Sequence, residues 1–439
     1  MIDELKKSIK LEGICSLCPQ IDLNGSIFCF TGTSKKTTRY AKRSILIQDN
    51  YDIISIKGVM YDMSEYYYLK YYDKTVAEIN VENKTMEIIN LDLFFDRRNK
   101  NIMNSAQFDN WVRNRIRPVS QVGFNSFLAS LDLKEDEEDL YFKVFVATRG
   151  INIKDKLWLA FNEDESYDES SPWASIMIDD GKVINHSFDL IKLNATKTKL
   201  NIDGACNKDL ARIKGNLCVV KERLQTNSYD NVSEELAYEI ANRLGIECSP
   251  AGALPNGLCF SVIDETKDLS PANVLIGLDQ GSFEDFYKLF LKIPSPNKTK
   301  FDVLRMGLFD VITRQMDRNY TNFSFYKSNG ILQFYRLYDN GLSLFASSRY
   351  KEDLDCSLGY GETLESKLKF IVRELKKLNV EFIFYDRLDK DFLEKISQSY
   401  SEYIKSTNGN DITNVIDWVL KQQAHVEELL NTNNIKFKQ

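Results

Sequence analysis

The sequence predicts an α+β chain of two lobes, a strand-rich N-terminal part followed by a helix-rich C-terminal part, and three observations carry that reading. From Ile27 to about Ile89, short apolar runs (SIFCF, SILIQ, YDIISIKGVMY, TVAEINV, TMEIINL) alternate with polar turns, which is the pattern of strands. Beyond the apolar run GLCFSVI, the stretches FDVLRMGLFDVITRQM, ESKLKFIVRELKKL and ITNVIDWVLKQQAHVEELL place apolar residues at helical spacing. A chain of 439 residues, 43% of them hydrophobic, has ample material for more than one core. The expected division is a strand-rich module with a helical end over 1–145, a small lobe over 146–275 and a mostly helical large lobe over 276–439.

Composition narrows the classes. A net charge of −7 with pI near 5.3 argues against a protein that coats nucleic acid. The start, MIDELKKSIKLEG, has no apolar run after its charges, and no stretch of about 18 apolar residues occurs, so a cytoplasmic protein without membrane spans is expected. Eight cysteines are scattered and read as reduced thiols. Cys15 and Cys18, with Cys29 nearby, form the one cluster, but a structural zinc needs four ligands and the two histidines, His186 and His425, are far away in sequence. His425, on a late amphipathic stretch, is read as structural.

Taken in order, the tyrosine-dense YDMSEYYYLKYYD reads as the half-buried face of a sheet. A helix begins near Ser105, with Phe108, Trp111, Val112 and Ile116 at helical spacing, and Pro118 stops it. The acidic runs over 133–142 and 162–171 read as solvated connectors, the second leading into strand-like SIMIDD and a turn at Gly181. From Ile202 to Glu222, Gly204-Ala205 forms a tight turn and ARI and LCVV pair as strands around Lys214-Gly215-Asn216, with Lys221 ending the second. SEELAYEIANRLGI is a helix with Leu236, Ile240 and Leu244 on one face and Gly245 near its end; Glu234 opens it, where an acidic side chain suits the helix dipole. GLCFSVI is a buried strand.

The segment Asp317–Gly341, DRNYTNFSFYKSNGILQFYRLYDNG, carries the chemistry. Asp317 and Asn322 stand five apart, the strand-like runs FSFY and ILQFYRLY flank an Asn329-Gly330 turn, and Asp339 closes the second strand. Phosphoryl transfer needs a carboxylate beside the incoming hydroxyl and hard oxygen ligands for Mg²⁺. In that scheme Asp317 accepts the proton, Asn322 holds one metal ion, and Asp339, brought back by the hairpin, bridges metal to the β- and γ-phosphates. Spacing alone is not enough: Asp96 with Asn101 and Asp109 with Asn114 repeat it, without a hairpin or a returning Asp, and read as surface residues. A lysine ending an apolar strand, as Lys221 does, followed by a helix bearing Glu234 or Glu235 to orient it, fits the same chemistry.

These residues resemble the HipA-like serine/threonine kinases, a bacterial family within the protein-kinase-like fold. Three blocks carry the resemblance: IDGACNKDL with VVK and SEELAYEIANRLGI; CFSVIDETKDLSPA; and MDRNYTNFSF with LYDNGLSL, spanning about residues 200 to 348. FDNWVRNRIRP and TRGINIKDKLWL are more weakly similar to an N-terminal module of some HipA-like proteins. The resemblance implies ATP and Mg²⁺ as cofactors, an ATP-binding small lobe and a catalytic large lobe. It implies Asp317 as catalytic base, Asn322 and Asp339 as metal ligands, and Lys221 on the phosphates. Gly204, Ala205, Cys206 and Lys208 would cover the phosphates, and Phe260 and Val262 would offer backbone groups to adenine. It further implies a protein substrate and a toxin-like role on a translation-related target, restrained by a small helix-turn-helix antitoxin, with no membrane and no direct nucleic-acid binding.

Two departures stand out. Asn319 occupies the position usually held by His, and Asn201 the position where some members carry an autophosphorylated serine. The alternatives are a lipid or small-molecule kinase of the same fold, disfavoured because the helices mix Lys with Glu, and a nucleotide-binding module without catalysis, for which Asn319 is the main support.

Overall fold

The computed structural model describes residues 55–56, 59–60, 65–91, 93–94, 101–121, 123–171, 206, 208–213, 216–254, 257–351 and 356–438. The expected strands before residue 55, the Cys15/Cys18 pair, the SIMIDD strand and the residues Gly204, Ala205 and Asn201 lie outside them.

Period-two patterning builds the first sheet. Its five antiparallel strands run, in spatial order, Ile102–Met103, Thr85–Ile88, Lys74–Asn80, Tyr66–Tyr71 and Leu157–Ala160. Tyr67, Leu69, Ala77, Ile79, Met86 and Ile88 are buried from alternate positions and form one core with the helices laid against them. The last of these strands comes from beyond residue 145. The strand's Trp158 donates its indole N–H to the Tyr72 carbonyl at 2.8 Å.

The helix Ser105–Arg113 starts where Asn104 caps it, in a box with Gln107 closed by hydrogen bonds of 3.0 and 3.1 Å. It ends before Ile116, which is buried in the turn that follows. The first acidic run is a connector only to Asp139, since Leu140–Ala147 is a helix with Leu140, Val144 and Phe145 buried. The second contains a short helix, Tyr167–Ser170, with Asp168 and Glu169 in its first turn.

A second antiparallel sheet has the order Ala251–Leu254, Leu258–Val262, Asn216–Glu222, Lys208–Ile213. The helix Asp230–Leu244 packs on it, and its buried face joins the core of the helical part. The buried helix Asn297–Thr313 runs through that core, surrounded by Phe283–Phe290, Leu364–Lys377 and Ile412–Asn431. The whole is an α+β fold with antiparallel sheets first and helices last. His425 bonds Glu365 at 2.7 Å between two of those helices.

The predicted hairpin is present: Ser324–Ser328 pairs with Ile331–Phe334, with Ser328 opposite Ile331. Asn329 and Gly330 both adopt positive φ, 51° and 75°, the conformation a two-residue turn of type I′ requires. Phe323 and Phe325 anchor the hairpin base against Phe286 and Phe290. The segments on either side, Asp317–Asn322 and Asp339–Gly341, are thereby fixed to one rigid support.

Candidate active site

Strand register positions two cations. Lys221 lies opposite Lys208 on one side and Cys259 on the other, so both lysines project from the same face of the sheet. Lys221 is buried at 6% exposure, which an ammonium group tolerates only with partners. It has two: Glu234 Oε2 at 2.6 Å and Asp339 Oδ1 at 2.5 Å. Burial works against its charge, yet Asp339 and then Glu234 raise its pKa well above the ordinary lysine value.

Which glutamate meets Lys221 depends on where the helix starts. It begins at Asp230, earlier than the pattern suggests, because the Asp230 carboxylate accepts from the Leu224 amide at 3.0 and 3.1 Å and from the Ser228 hydroxyl. Glu234 therefore sits in the second turn rather than opening the helix. Its other oxygen accepts from the Asn340 amide at 2.9 Å, while Glu235 points away and accepts from the Ala253 amide at 2.6 Å. Glu234, buried and saturated, is the lysine partner.

Asp339 occupies a tight turn with φ of 56°, its carbonyl accepting from Gln315 at 3.2 Å. Burial acts against ionisation, but Lys221 and then Lys208 hold its carboxyl well below the usual carboxylate range. The turn passes close to the helix N-terminus: a Cβ on Gly341 would stand 3.1 Å from the Asp230 carbonyl oxygen and 3.3 Å from Glu234 Oε2. Glycine fits that approach.

The Asp317–Asn322 loop is closed by its own amides. Asn322 Nδ2 donates to the Asp317 carbonyl at 2.7 Å and to its carboxylate at 3.1 Å. A carbonyl can only accept, so this fixes the amide orientation and turns Asn322 Oδ1 outward. Asn319 donates to Asp317 Oδ1 at 2.9 Å and accepts from the Thr321 amide at 3.0 Å. Asparagine thus supports the loop at the departure noted in the sequence. Burial, with Asp339 adding to it, raises the Asp317 pKa above the ordinary aspartate value. A raised carboxylate is a stronger proton acceptor.

Arg318 is the residue that sequence reasoning missed. Almost fully buried, it pairs with Asp310 at 3.0 Å and donates to the carbonyls of Asn322 at 3.2 Å and Tyr338 at 2.9 Å and to Asn340 Oδ1 at 2.6 Å. One guanidinium therefore ties the Asp317 loop to the Asp339 turn, its five donors in a rigid fork suiting several acceptors at once. Asp310 is held in turn by Lys367 at 3.0 Å. A charged residue beside Asp317 was the available signal.

The donor set suits a hard cation. Asn322 Oδ1 receives only a 3.3 Å contact from Thr321, and Asp339 commits one oxygen to Lys221, leaving one amide and one carboxylate oxygen to coordinate. Lys208, nearly buried, adds positive charge beside Asp339. Cys206 is half-buried, its carbonyl held by Gln121 at 3.3 Å and its thiol pKa pushed up by burial. Phe260 is mid-strand between two partners, and Val262 has its amide on Pro250 at 2.8 Å and its carbonyl on Arg336 at 2.9 Å. Phe260 therefore lies within a strand paired on both edges, and the Val262 carbonyl keeps a second lone pair beyond its bond from Arg336.

No protein-family profile and no curated protein matches the chain. Solved structures do. Two of those it resembles are a kinase and a HipA complex. One is the Helicobacter pylori proinflammatory kinase CtkA, at 17% identity over 52% of this chain and 92% of that one, with a TM-score of 0.33. The other is HipA of Shewanella oneidensis MR-1, in a toxin–antitoxin complex with HipB and operator DNA, at 12% identity over 83% of this chain and 99% of that one, with a TM-score of 0.45. Among the described residues, no helix is long and apolar enough to cross a membrane.

Proposed function

We propose that the protein is an ATP- and Mg²⁺-dependent kinase of HipA-like type that phosphorylates a Ser or Thr hydroxyl of a protein. The observation that carries this is the convergence of Lys221, Glu234 and Asp339 within hydrogen-bond distance, beside a closed Asp317–Asn322 loop. Mg²⁺–ATP would supply an electrophilic phosphorus with its oxygens neutralised. Asn322 Oδ1 and Asp339 would hold the metal. Lys221, oriented by Glu234, would lie along the phosphates, with Lys208 as a second cation. Asp317 would take the proton of the attacking hydroxyl, helped by its raised proton affinity.

The test is transfer from γ-labelled ATP to the chain itself or to cell-extract proteins, compared with Asp317→Asn and Asp339→Asn. Label incorporated by the native protein and absent from both variants is expected. A native protein that transfers nothing counts against the reading. The growth-restraining role and a helix-turn-helix antitoxin partner rest on the sequence resemblance alone; growth arrest on expression, relieved by Asp317→Asn, is the check on the first.

A further inference from the structure

Asp317 and Asp339 stand on two segments that run side by side. The Leu344 amide donates to the Thr313 carbonyl at 2.8 Å, and the Met316 amide donates to the Leu342 carbonyl at 3.3 Å. Both bonds fall beyond Asp339 along the chain, so neither fixes that residue itself.

Gln315 does. The helix Asn297–Thr313 ends where Arg314 enters the left-handed region, at φ of 53°, and the next residue, Gln315, is only 1% exposed. Its Oε1 accepts from the Asp317 amide at 2.9 Å, and its Nε2 donates to the Asp339 carbonyl at 3.2 Å. Among the described residues these two backbone groups have no other partner. A backbone N–H only donates and a carbonyl only accepts, so its partners fix which way the Gln315 amide faces. An ionised glutamate would offer acceptors alone, methionine neither group, and asparagine the right groups on a stem one methylene shorter. Asp339 needs the hold, because at φ of 56° a residue other than glycine persists only where its surroundings over-determine it. Arg318 joins the same segments at Asn322, Tyr338 and Asn340, whereas Gln315 joins the backbones of Asp317 and Asp339 directly.

We propose that Gln315 is a positioning residue for phosphoryl transfer, its amide setting the distance between the base Asp317 and the metal ligand Asp339. Its effect on rate presupposes the kinase proposed above; the tie between the two backbones does not.

Gln315→Met, close in size and lacking both hydrogen bonds, tests the two parts. Label transfer from γ-labelled ATP to the chain itself or to cell-extract proteins is followed against ATP concentration. The rate at saturating ATP is expected to fall about ten-fold or more, as small displacements of a reacting group do. The ATP concentration giving half that rate is expected to stay within about two-fold of native, because Lys221 and Glu234 keep their bond. Thr313→Val is the control: its hydroxyl bonds the Phe309 carbonyl at 2.8 Å within the helix and reaches neither Asp317 nor Asp339, so its saturating rate is expected to stay near native. Gln315→Asn, whose shorter stem cannot span both groups, is expected to lose rate as well and serves where Gln315→Met does not fold. Amide hydrogen exchange separates the tie from the kinase proposal: in Gln315→Met the Asp317 amide is expected to exchange about ten-fold or more faster than in the native chain, with the amides inside the helix Asp230–Leu244 unchanged. A native chain that transfers no label removes the kinase proposal, and the exchange then decides the tie by itself. Native protection of the Asp317 amide in Gln315→Met, an active native chain whose saturating rate the substitution leaves unchanged, or an equal loss of rate in Thr313→Val would each overturn the proposal.

Discussion

Replacing Arg318 with Met removes the guanidinium that joins the two halves of the site while keeping most of the side-chain volume. The lost contacts are the ion pair to Asp310 and the hydrogen bonds to Asn322, Tyr338 and Asn340. Breaking a buried pair typically costs about 3–5 kcal/mol because a charge is left behind. Here Lys367 still holds Asp310 at 3.0 Å, which places the pair's share near the lower end of that range. Each of the three acceptors loses a charge-assisted donor, worth about 1–3 kcal/mol taken singly, and these losses overlap with that of the ion pair because all belong to one network. A loss of about 3–5 kcal/mol is expected, read from the midpoint and slope of urea unfolding. Turnover is expected to fall about 100-fold, since displacing a catalytic loop by about 1 Å has that effect. The Michaelis constant for ATP should change little, because Lys221 and Glu234 keep their own contacts. An Arg318→Met protein within about 1 kcal/mol of native stability, and with native turnover, would refute the idea that this residue couples the two segments.

Three further outcomes are expected. Glu234→Gln weakens the hold on Lys221 and lowers turnover by about ten-fold or more, whereas Glu235→Gln, whose partner is the Ala253 amide, leaves turnover near native; equal effects in a steady-state assay would contradict the assignment. As the proposed base Asp317 would work unprotonated, and its pKa is raised, so kcat/KM should climb with pH along a limb lying above the ordinary aspartate value of about 4; a limb at or below that value would argue against Asp317 as base. Gly341→Ala presses a methyl group against the Asp230 carbonyl and Glu234, for a loss of about 1–3 kcal/mol in thermal unfolding and a larger proportional loss of turnover.

The sequence carried local features farther than distant ones. The Asn329-Gly330 turn and its flanking runs specify their hairpin through backbone preference alone, and the hairpin then delivers Asp339 to Lys221. The order of Lys221, the following helix, Asp317, Asn322 and Asp339 was legible for that reason. The choice between Glu234 and Glu235 was not, since it depends on helix phase, and the helix starts at Asp230, whose carboxylate is tied to the Leu224 amide upstream of it. Arg318 was hidden because its partners, Asp310 and Asn340, belong to a buried helix and a distant turn. Phe260 and Val262 were placed by position in a run, whereas pairing on both edges of their strand decides which backbone groups remain open. Leu140–Ala147 was obscured by the acidic residues just before it.

The most direct test of the account is ATP binding by calorimetry with and without Mg²⁺, on the native chain and on Asp339→Asn. The native chain is expected to bind ATP tightly only when Mg²⁺ is present, and Asp339→Asn to lose that metal dependence, because the carboxylate held by Lys221 is the proposed metal ligand. Binding that is absent, or indifferent to Mg²⁺ in the native chain, would contradict it.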